Sequence, residues 1–379
     1  HPPPPPPHPH LAHPAKLKPQ PPPTPLEKLD APHHPEKSKK FAPRHPLRTA
    51  ALPNGKLEIE DTGPLTSERM KTFDDEVLEL GLGFIGRQHR AGKPFFLWMN
   101  STRMHYPTYL PDEWDGASGR GLYADGMLQH DAWVGAILNH LDELGIAENT
   151  IVIYNADNGP QSSLWPDGGV TPYRSEKFTS WEGAYRVPGA VRWPERIPKG
   201  SVSNEIMSNL DWFPTLLAAA GDPDIKGKLL KGYELNGKKY RVHLDGYNQL
   251  PLLTGQSNKG ARNEFFYFTD SGDLSALRFG DWKLIFAEQR GKGLGAWQEP
   301  FVVLNFPKLF NLRTDPFERA ALNSNSYDQW AFDRTFVGSV AKPVVVDYFM
   351  SFKEFPPQQR PVSFNPDVIL QKIQSGNNN

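Results

Sequence analysis

The residues in this chain best suited to chemistry are Asp157 and Asn158, followed directly by Gly159 and Pro160. A carboxylate beside a carboxamide offers hard oxygen ligands, which suit calcium or magnesium and match softer metals poorly. The same Asp-Asn-Gly run also suits a tight hairpin turn, with Asn158 and Gly159 at the positive-φ positions. In an open parallel sheet, ligands collect outside the carboxyl ends of the strands, so what precedes the corner matters.

What precedes it is residues 151–154, all β-branched or aromatic, which predicts a strand buried on both faces. Before that strand, Val134, Ile137, Leu138 and Leu141 fall at helical spacing, and Gly145 stands where a C-cap belongs, predicting a helix over residues 123–144. Residues 95–99 (Phe-Phe-Leu-Trp-Met) predict a second buried strand, followed by a polar loop over 100–107. Asn100-Ser101-Thr102 in that loop matches a glycosylation sequon, read here as chance at the tight end of a core strand. Thr66-Ser67-Glu68 marks a helix start, with an apolar stripe through Met70, Phe73, Val77, Leu78, Leu80 and Phe84, and an end at Gly86 or Gly92.

Strand, loop, helix, strand predicts an α/β fold: a mostly parallel, doubly wound sheet flanked by helices. Residues 189–194 add a short strand, and a helix runs from near Asp211 to Gly221. Beyond about Leu244 the pattern becomes antiparallel, with strands over 264–268, 277–279 and 282–286 around Gly280-Asp281, a further strand at 309–312, and a helix between Val340 and Phe355. The expected organisation is a disordered Pro/His-rich segment over 1–52, an incomplete α/β domain over 53–243, and an antiparallel-sheet subdomain with a helix and tail over 244–379.

The chain has 379 residues with a formal charge of −1, which leaves no basic excess for a general nucleic-acid binder. No apolar run is long enough to span a bilayer, and no signal-peptide h-region is visible. Cysteine is absent, which excludes disulfides, thiolate metal sites and a thiol nucleophile. The Pro-rich start cannot bury enough apolar surface to offset its ordering entropy. Its histidines (His1, His8, His10, His13, His33, His34, His45) could hold a transition metal loosely, and its prolines could meet an SH3-like or WW-like partner, but a solvated tail is the plainer reading. The first residue is His1 and the first methionine is Met70, so a processed or partial chain is expected.

In order and spacing these segments resemble the later two-thirds of an arylsulfatase-type sulfatase, within the alkaline-phosphatase superfamily. The carrying residues are Phe95 to Trp98 with His105, Tyr123-Ala124-Asp125 leading to Val134-Gly135, and Ile153-Tyr154 with Asp157-Asn158-Gly159. They continue with Lys177, Trp181-Glu182-Gly183, Arg186-Val187-Pro188, and Phe310-Asn311-Leu312 with Asp315 to Glu318. The resemblance implies that Asp157 and Asn158 ligate a divalent cation, usually Ca2+, and that Lys177 and His105 face the sulfate, His105 also facing the leaving oxygen. Such roles suit the chemistry of a small-molecule sulfate ester, whose spreading negative charge a Lewis acid, a point charge and a donor would stabilise. A periplasmic, secreted or lysosomal location is the family's usual one.

The resemblance also implies parts that are not found. Family members begin with an aspartate pair on the first strand and a Cys/Ser-x-Pro-x-Arg motif converted to formylglycine, and neither is recognisable here. Asp74-Asp75 sits in a helical pattern and is rejected as that pair. A sheet without its first strands would expose an apolar edge and a half-built core, so weak or no hydrolysis is expected. Two alternatives stand: a phosphonate or phosphodiester hydrolase of the same superfamily, or a non-catalytic remnant that binds a partner through its Pro-rich tail or sheet edge. Trp165, Trp181 and Tyr185 could line a sugar or aromatic pocket, or be core.

Overall fold

The structure, a computed structural model, describes residues 44–52 and 55–357; the Pro/His-rich stretch up to residue 43 lies outside the described residues. The described chain opens on a hairpin of β1 (Leu47–Ala51) and β2 (Leu57–Asp61). Strand β1 falls inside the segment expected to lack structure. Alternation explains it: Leu47, Thr49, Leu57 and Ile59 share one face of the ribbon, while Arg48 and Glu60 pair at 2.8 Å on the other.

Helix α1 (Ser67–Arg90) begins where Thr66 Oγ1 accepts a hydrogen bond from Arg69 N at 3.2 Å. Helix α2 (Leu122–Glu143) turns Trp133 and Leu141 inward. Ile85, Leu141 and Ala147 form a small core, on which Phe95, Leu97, Ile137 and Val152 pack. Strand β3 (Val152–Asn155) leads from this core to the Asp157 corner and pairs antiparallel with β4 (Gly189–Arg192), just after the single-turn α3 (Glu182–Tyr185).

Two expectations are corrected here. Residues 95–99 join no ladder among the described residues, although their side chains still alternate: Phe95, Leu97 and Met99 turn toward the core, whereas Phe96 and Trp98 are 69% and 78% exposed. The segment attaches through side-chain packing on the helices rather than through main-chain bonds to β3. Strand β3 is accordingly half-buried rather than covered on both faces. Every ladder among the described residues is antiparallel, so the mostly parallel, doubly wound sheet is not what these residues form.

Next come α4 (Trp212–Ala219), α5 (Ile225–Lys231), the small hairpin of β5 (Tyr233–Leu235) and β6 (Lys238–Tyr240), and the single turn α6 (Leu250–Leu253). Asp211, at the start of α4 and fully buried, organises this region. It accepts hydrogen bonds from Ser208 N, Tyr247 N and Gln249 Nε2, and from Arg262 Nη2 at 2.6 Å.

The C-terminal part meets its expectation. Strands β7 (Glu264–Phe268), β8 (Leu274–Phe279), β9 (Trp282–Glu288) and β10 (Val302–Asn311) form an antiparallel sheet in the order β10-β9-β8-β7. The turn α7 (Gly295–Gln298) interrupts the β9–β10 connection; α8 (Ala320–Asn323), α9 (Tyr327–Phe332) and α10 (Phe336–Glu354) follow. Register pairs Ala276 with Ile285 and Leu277 with Leu284, so alternate residues feed two cores. One core joins Ala276 and Ile285 to Trp181, Phe310 and Tyr327; the other joins Leu277 and Leu284 to Val337 and Ala341 of α10. Among the described residues no helix is long and apolar enough to cross a membrane.

The Asp211–Arg262 pair generates a stability prediction. Asp211→Ala strands a buried guanidinium and is expected to cost about 3–5 kcal/mol in urea unfolding, because the partner charge is left uncompensated. Leu57→Ser on the exposed hairpin face is expected to cost no more than about 0.5 kcal/mol. Equal losses for the two variants would contradict the assignment of Asp211 as the anchor of this region.

Candidate functional site

The chain leaves β3 at Asn155 and turns sharply, and the corner is held from both sides. Asp157 Oδ1 accepts from Asn158 N at 2.9 Å, and Asn158 Nδ2 donates to Gly159 O at 2.8 Å. With its nitrogen engaged, Asn158 has its amide oxygen left to offer a ligand, and Asp157 is exposed. Gly159 N donates to Ala184 O at 2.7 Å, and a Cβ at Gly159 would fall 1.8 Å from Gly183 O. The corner and the Glu182-Gly183 turn therefore pack main chain on main chain, which only glycine permits.

That contact brings Lys177 to the corner. Lys177 N donates to Pro160 O at 3.0 Å, three residues past Asp157. Among the described residues its ammonium has no hydrogen-bond or ion-pair partner; its nearest aromatic neighbour is Phe178, 5.4 Å from Nζ to the ring centroid. His105 arrives by a different route. Trp165 Nε1 donates to Met104 O at 2.9 Å, and the Tyr106 and Trp165 rings meet edge to face at 6.2 Å. His105 is exposed, with its main-chain N donating to Thr102 O at 2.8 Å. Main-chain and side-chain bonds thus tie the Lys177 and His105 loops to the stretch 157–165, the first through Pro160 and the second through Trp165.

The His105 loop is itself positioned by a polar chain that sequence reading did not single out. His130 on α2 lies 3.1 Å through Nδ1 from Ser101 Oγ and 3.2 Å through Nε2 from Tyr154 OH on β3. Burial lowers the pKa of His130, which favours the neutral ring between the two hydroxyls. Asp74 accepts from Thr102 N and Oγ1 at 2.9 and 2.8 Å and faces Arg103 at 3.5 Å, while Asp75 accepts from Trp133 Nε1 at 2.6 Å. Asp74 thus holds this loop on α1, while Asp75 ties α1 to α2.

The Lys177 loop is anchored more deeply. Glu182, two residues after the buried Ser180, receives Lys283 Nζ at 2.8 Å, Tyr267 OH at 2.7 Å and Arg186 Nε at 2.7 Å. Lys283 of β9 is fully buried, and its ammonium also lies 2.9 Å from Glu318 Oε1. Glu318 Oε2 in turn accepts from Glu182 N at 2.7 Å, and Arg174 lies 3.3 Å over the Trp181 ring. Burial alone would raise the Glu182 carboxyl, but the Lys283 ammonium and the Arg186 guanidinium overcome it and hold the pKa at about 2. Glu318 has the poorer share of the same ammonium, and burial pushes its carboxyl up. Lys283 was legible only as a charge inside the apolar run of residues 282–286, a weak signal that a partner must be buried with it. Trp165, Trp181 and Tyr185 turn out to be framework: the first two are buried, and Tyr185 OH donates to Phe268 O at 2.9 Å.

Calcium takes six to eight oxygens in the general case, so Asp157 and Asn158 fit part of such a shell. Among the described residues no cluster of three His, Asp or Glu side chains could complete it.

Comparisons with known proteins bear on the family. The Sulfatase family profile matches residues 29–222. Human arylsulfatase A is 33% identical over 241 residues, covering 60% of this chain and 44% of that protein. Dog N-acetylgalactosamine-6-sulfatase is 32% identical over 268 residues, covering 65% and 47%. The crystal structure of the PsFucS1 sulfatase from Pseudoalteromonas sp. superposes with a TM-score of 0.69 at 25% identity, over 85% of this chain and 61% of that one. The chain spans a little under half the length of these two curated relatives.

The carboxylate pair around Lys283 makes stability depend on acid. The folded pKa of Glu182 lies at about 2, below the ordinary 4.5, so the unfolded chain binds more protons between those values. The stabilisation from Glu182 is complete above the ordinary value and is lost as pH falls through the folded one. The gap in unfolding free energy between wild type and Glu182→Gln is expected to be wide at about pH 6 and to narrow steadily toward about pH 3. A gap that does not change over that range would contradict the ion-pair account.

Proposed function

The chain belongs to the sulfatase family, and on that footing we propose that the Asp157, Lys177 and His105 loops form the metal-facing and sulfate-facing side of a sulfuric ester hydrolase site. The observation that carries this reading is the main-chain bond from Lys177 to Pro160, which ties to the oxygen-bearing Asp157-Asn158 corner a residue whose ammonium has no partner among the described residues. An unpaired, half-buried lysine beside hard oxygen ligands is the arrangement that an anion bridged to a divalent cation requires.

Asp157 and Asn158 would hold the cation through a carboxylate and an amide oxygen, as part of its shell. Calcium bound there would supply Lewis-acid charge to the ester oxygens. Lys177 places a positive charge where the sulfate oxygens become more negative, and it is orientated by the anchored turn behind it. His105, exposed on its own loop, would give a proton to the departing ester oxygen. The sequence contains no cysteine, so no residue of this chain is assigned as the formylglycine nucleophile and no step is routed through one. The reading is therefore of binding and charge stabilisation first, with weak hydrolysis by the chain as it stands.

Calorimetric titration of the full chain with inorganic sulfate in the presence of calcium tests it. Lys177→Ala is expected to weaken sulfate binding by about tenfold or more, as loss of a charge-assisted hydrogen bond does. Asp157→Ala is expected to abolish the calcium dependence. Unaltered sulfate affinity in Lys177→Ala would refute the reading. Robust release of nitrophenol from nitrophenyl sulfate, lost in Lys177→Ala, would refute the weak-hydrolysis part alone.

A further inference from the structure

Beside Lys177 stands an aromatic pair that sulfate binding alone does not require. Phe178, the next residue, is held at φ +73°, and Ser175 at +64°, so two non-glycine residues in the left-handed region bracket Glu176 and Lys177. Glu176 is buried and accepts from Ser163 N at 2.9 Å, and Thr179 Oγ1 donates to Glu176 O at 2.8 Å, which keeps the stretch in this conformation. Against Phe178 lies Trp297 of α7, with ring centroids 3.7 Å apart, and Trp297 is 55% exposed.

The turn that presents Trp297 is firmly built. Gln289, itself buried, donates through Nε2 to Ala296 O at 3.2 Å and to Glu299 O at 2.6 Å, while its Oε1 accepts from Gly291 N at 2.7 Å. A Cβ at Gly291 would fall 2.4 Å from the Gly295 carbonyl, and Ala296 is buried beneath the turn. A large indole is thus held in water by a firmly bonded turn, against the ring that follows Lys177 in the chain.

We propose that Trp297, backed by Phe178, is the stacking face of a subsite for the sugar ring that carries the sulfate ester. The inference rests on the reading of Lys177 as the sulfate-binding residue. Phe178 stands between the two groups, its ring centroid 3.7 Å from that of the indole and 5.4 Å from Lys177 Nζ, and the proposal sets a ring on Trp297 with its sulfate turned toward the lysine. The C–H face of a pyranose gains apolar contact and dispersion from an indole, while its hydroxyls stay hydrated on the open side. An aryl ester gains most from full enclosure, which an exposed indole on a turn does not give. The C-terminal sheet, through the β9–β10 connection, thus selects what the sulfate is attached to.

Calorimetric titration of the full chain with calcium present tests this, using a galactose sulfate monoester, inorganic sulfate and nitrophenyl sulfate. Trp297→Ala is expected to weaken the galactose sulfate about tenfold and leave inorganic sulfate unchanged, with Trp297→Phe retaining most of the affinity. Lys177→Ala is expected to weaken both. If Trp297→Ala leaves galactose sulfate binding intact while Lys177→Ala weakens it, the stacking subsite is overturned and the sulfate site stands. If Lys177→Ala changes neither ligand, the sulfate site falls and the subsite with it. If Trp297→Ala weakens only nitrophenyl sulfate, the carrier is an aryl ring and the sugar assignment is overturned.

Discussion

One fully buried ammonium holds the molecule together where it matters. Lys283 rises from the C-terminal sheet and meets Glu182 at 2.8 Å and Glu318 at 2.9 Å, in a region from which water is excluded. A charge taken out of water costs several kcal/mol in order of magnitude, and only paired and hydrogen-bonded geometry offsets that. The geometry here is complete on the Glu182 side, where Tyr267 and Arg186 add their donors. Because Glu182 lies five residues from Lys177, the ion cluster fixes the loop that carries the unpaired lysine to the sheet behind it.

The proposed function rests on what is fixed and what is left open. The Asp157 corner rests on the Glu182-Gly183 turn through Gly159, the Lys177 main chain bonds to the corner, and Trp165 ties in the His105 loop. Polar groups that build the frame are satisfied: Asp74, Asp75, Asp211 and Glu182 all have partners. Asp157, which accepts from Asn158 N, is exposed at the surface of that frame, and the Lys177 ammonium has no hydrogen-bond or ion-pair partner among the described residues. A preorganised frame presenting unsatisfied charge is how a site stabilises an anion without reorganising as it does so.

Much of this was legible in the sequence, for reasons that can be given residue by residue. Helices α1 and α2 announced themselves through long apolar stripes and through Thr66 and Gly145 at their ends. The hairpin around Gly280-Asp281 did so through its turn chemistry. The corner at Asp157 was visible because an apolar run stops there on hard oxygens and a glycine. Residues 95–99 misled, because alternation and hydrophobicity reveal which way side chains face but not whether a neighbouring strand is there to bond. The polar frame was nearly silent: Lys283, Glu182 and Glu318 are separated by 101 and 136 positions along the chain, and local pattern has no access to such pairing. Strand β1 was hidden by the Pro-rich composition of what precedes it.

The most direct measurement is native-state hydrogen exchange of the full chain, comparing the amides of Lys177, Gly183 and Ala184 with those of strand β9. Exchange from all of them through a common, cooperative opening is the result this account predicts, since each amide is bonded into the frame that Lys283 closes. Rapid exchange at residues 177–184, as from an ordinary surface loop, beside a protected β9 would contradict it.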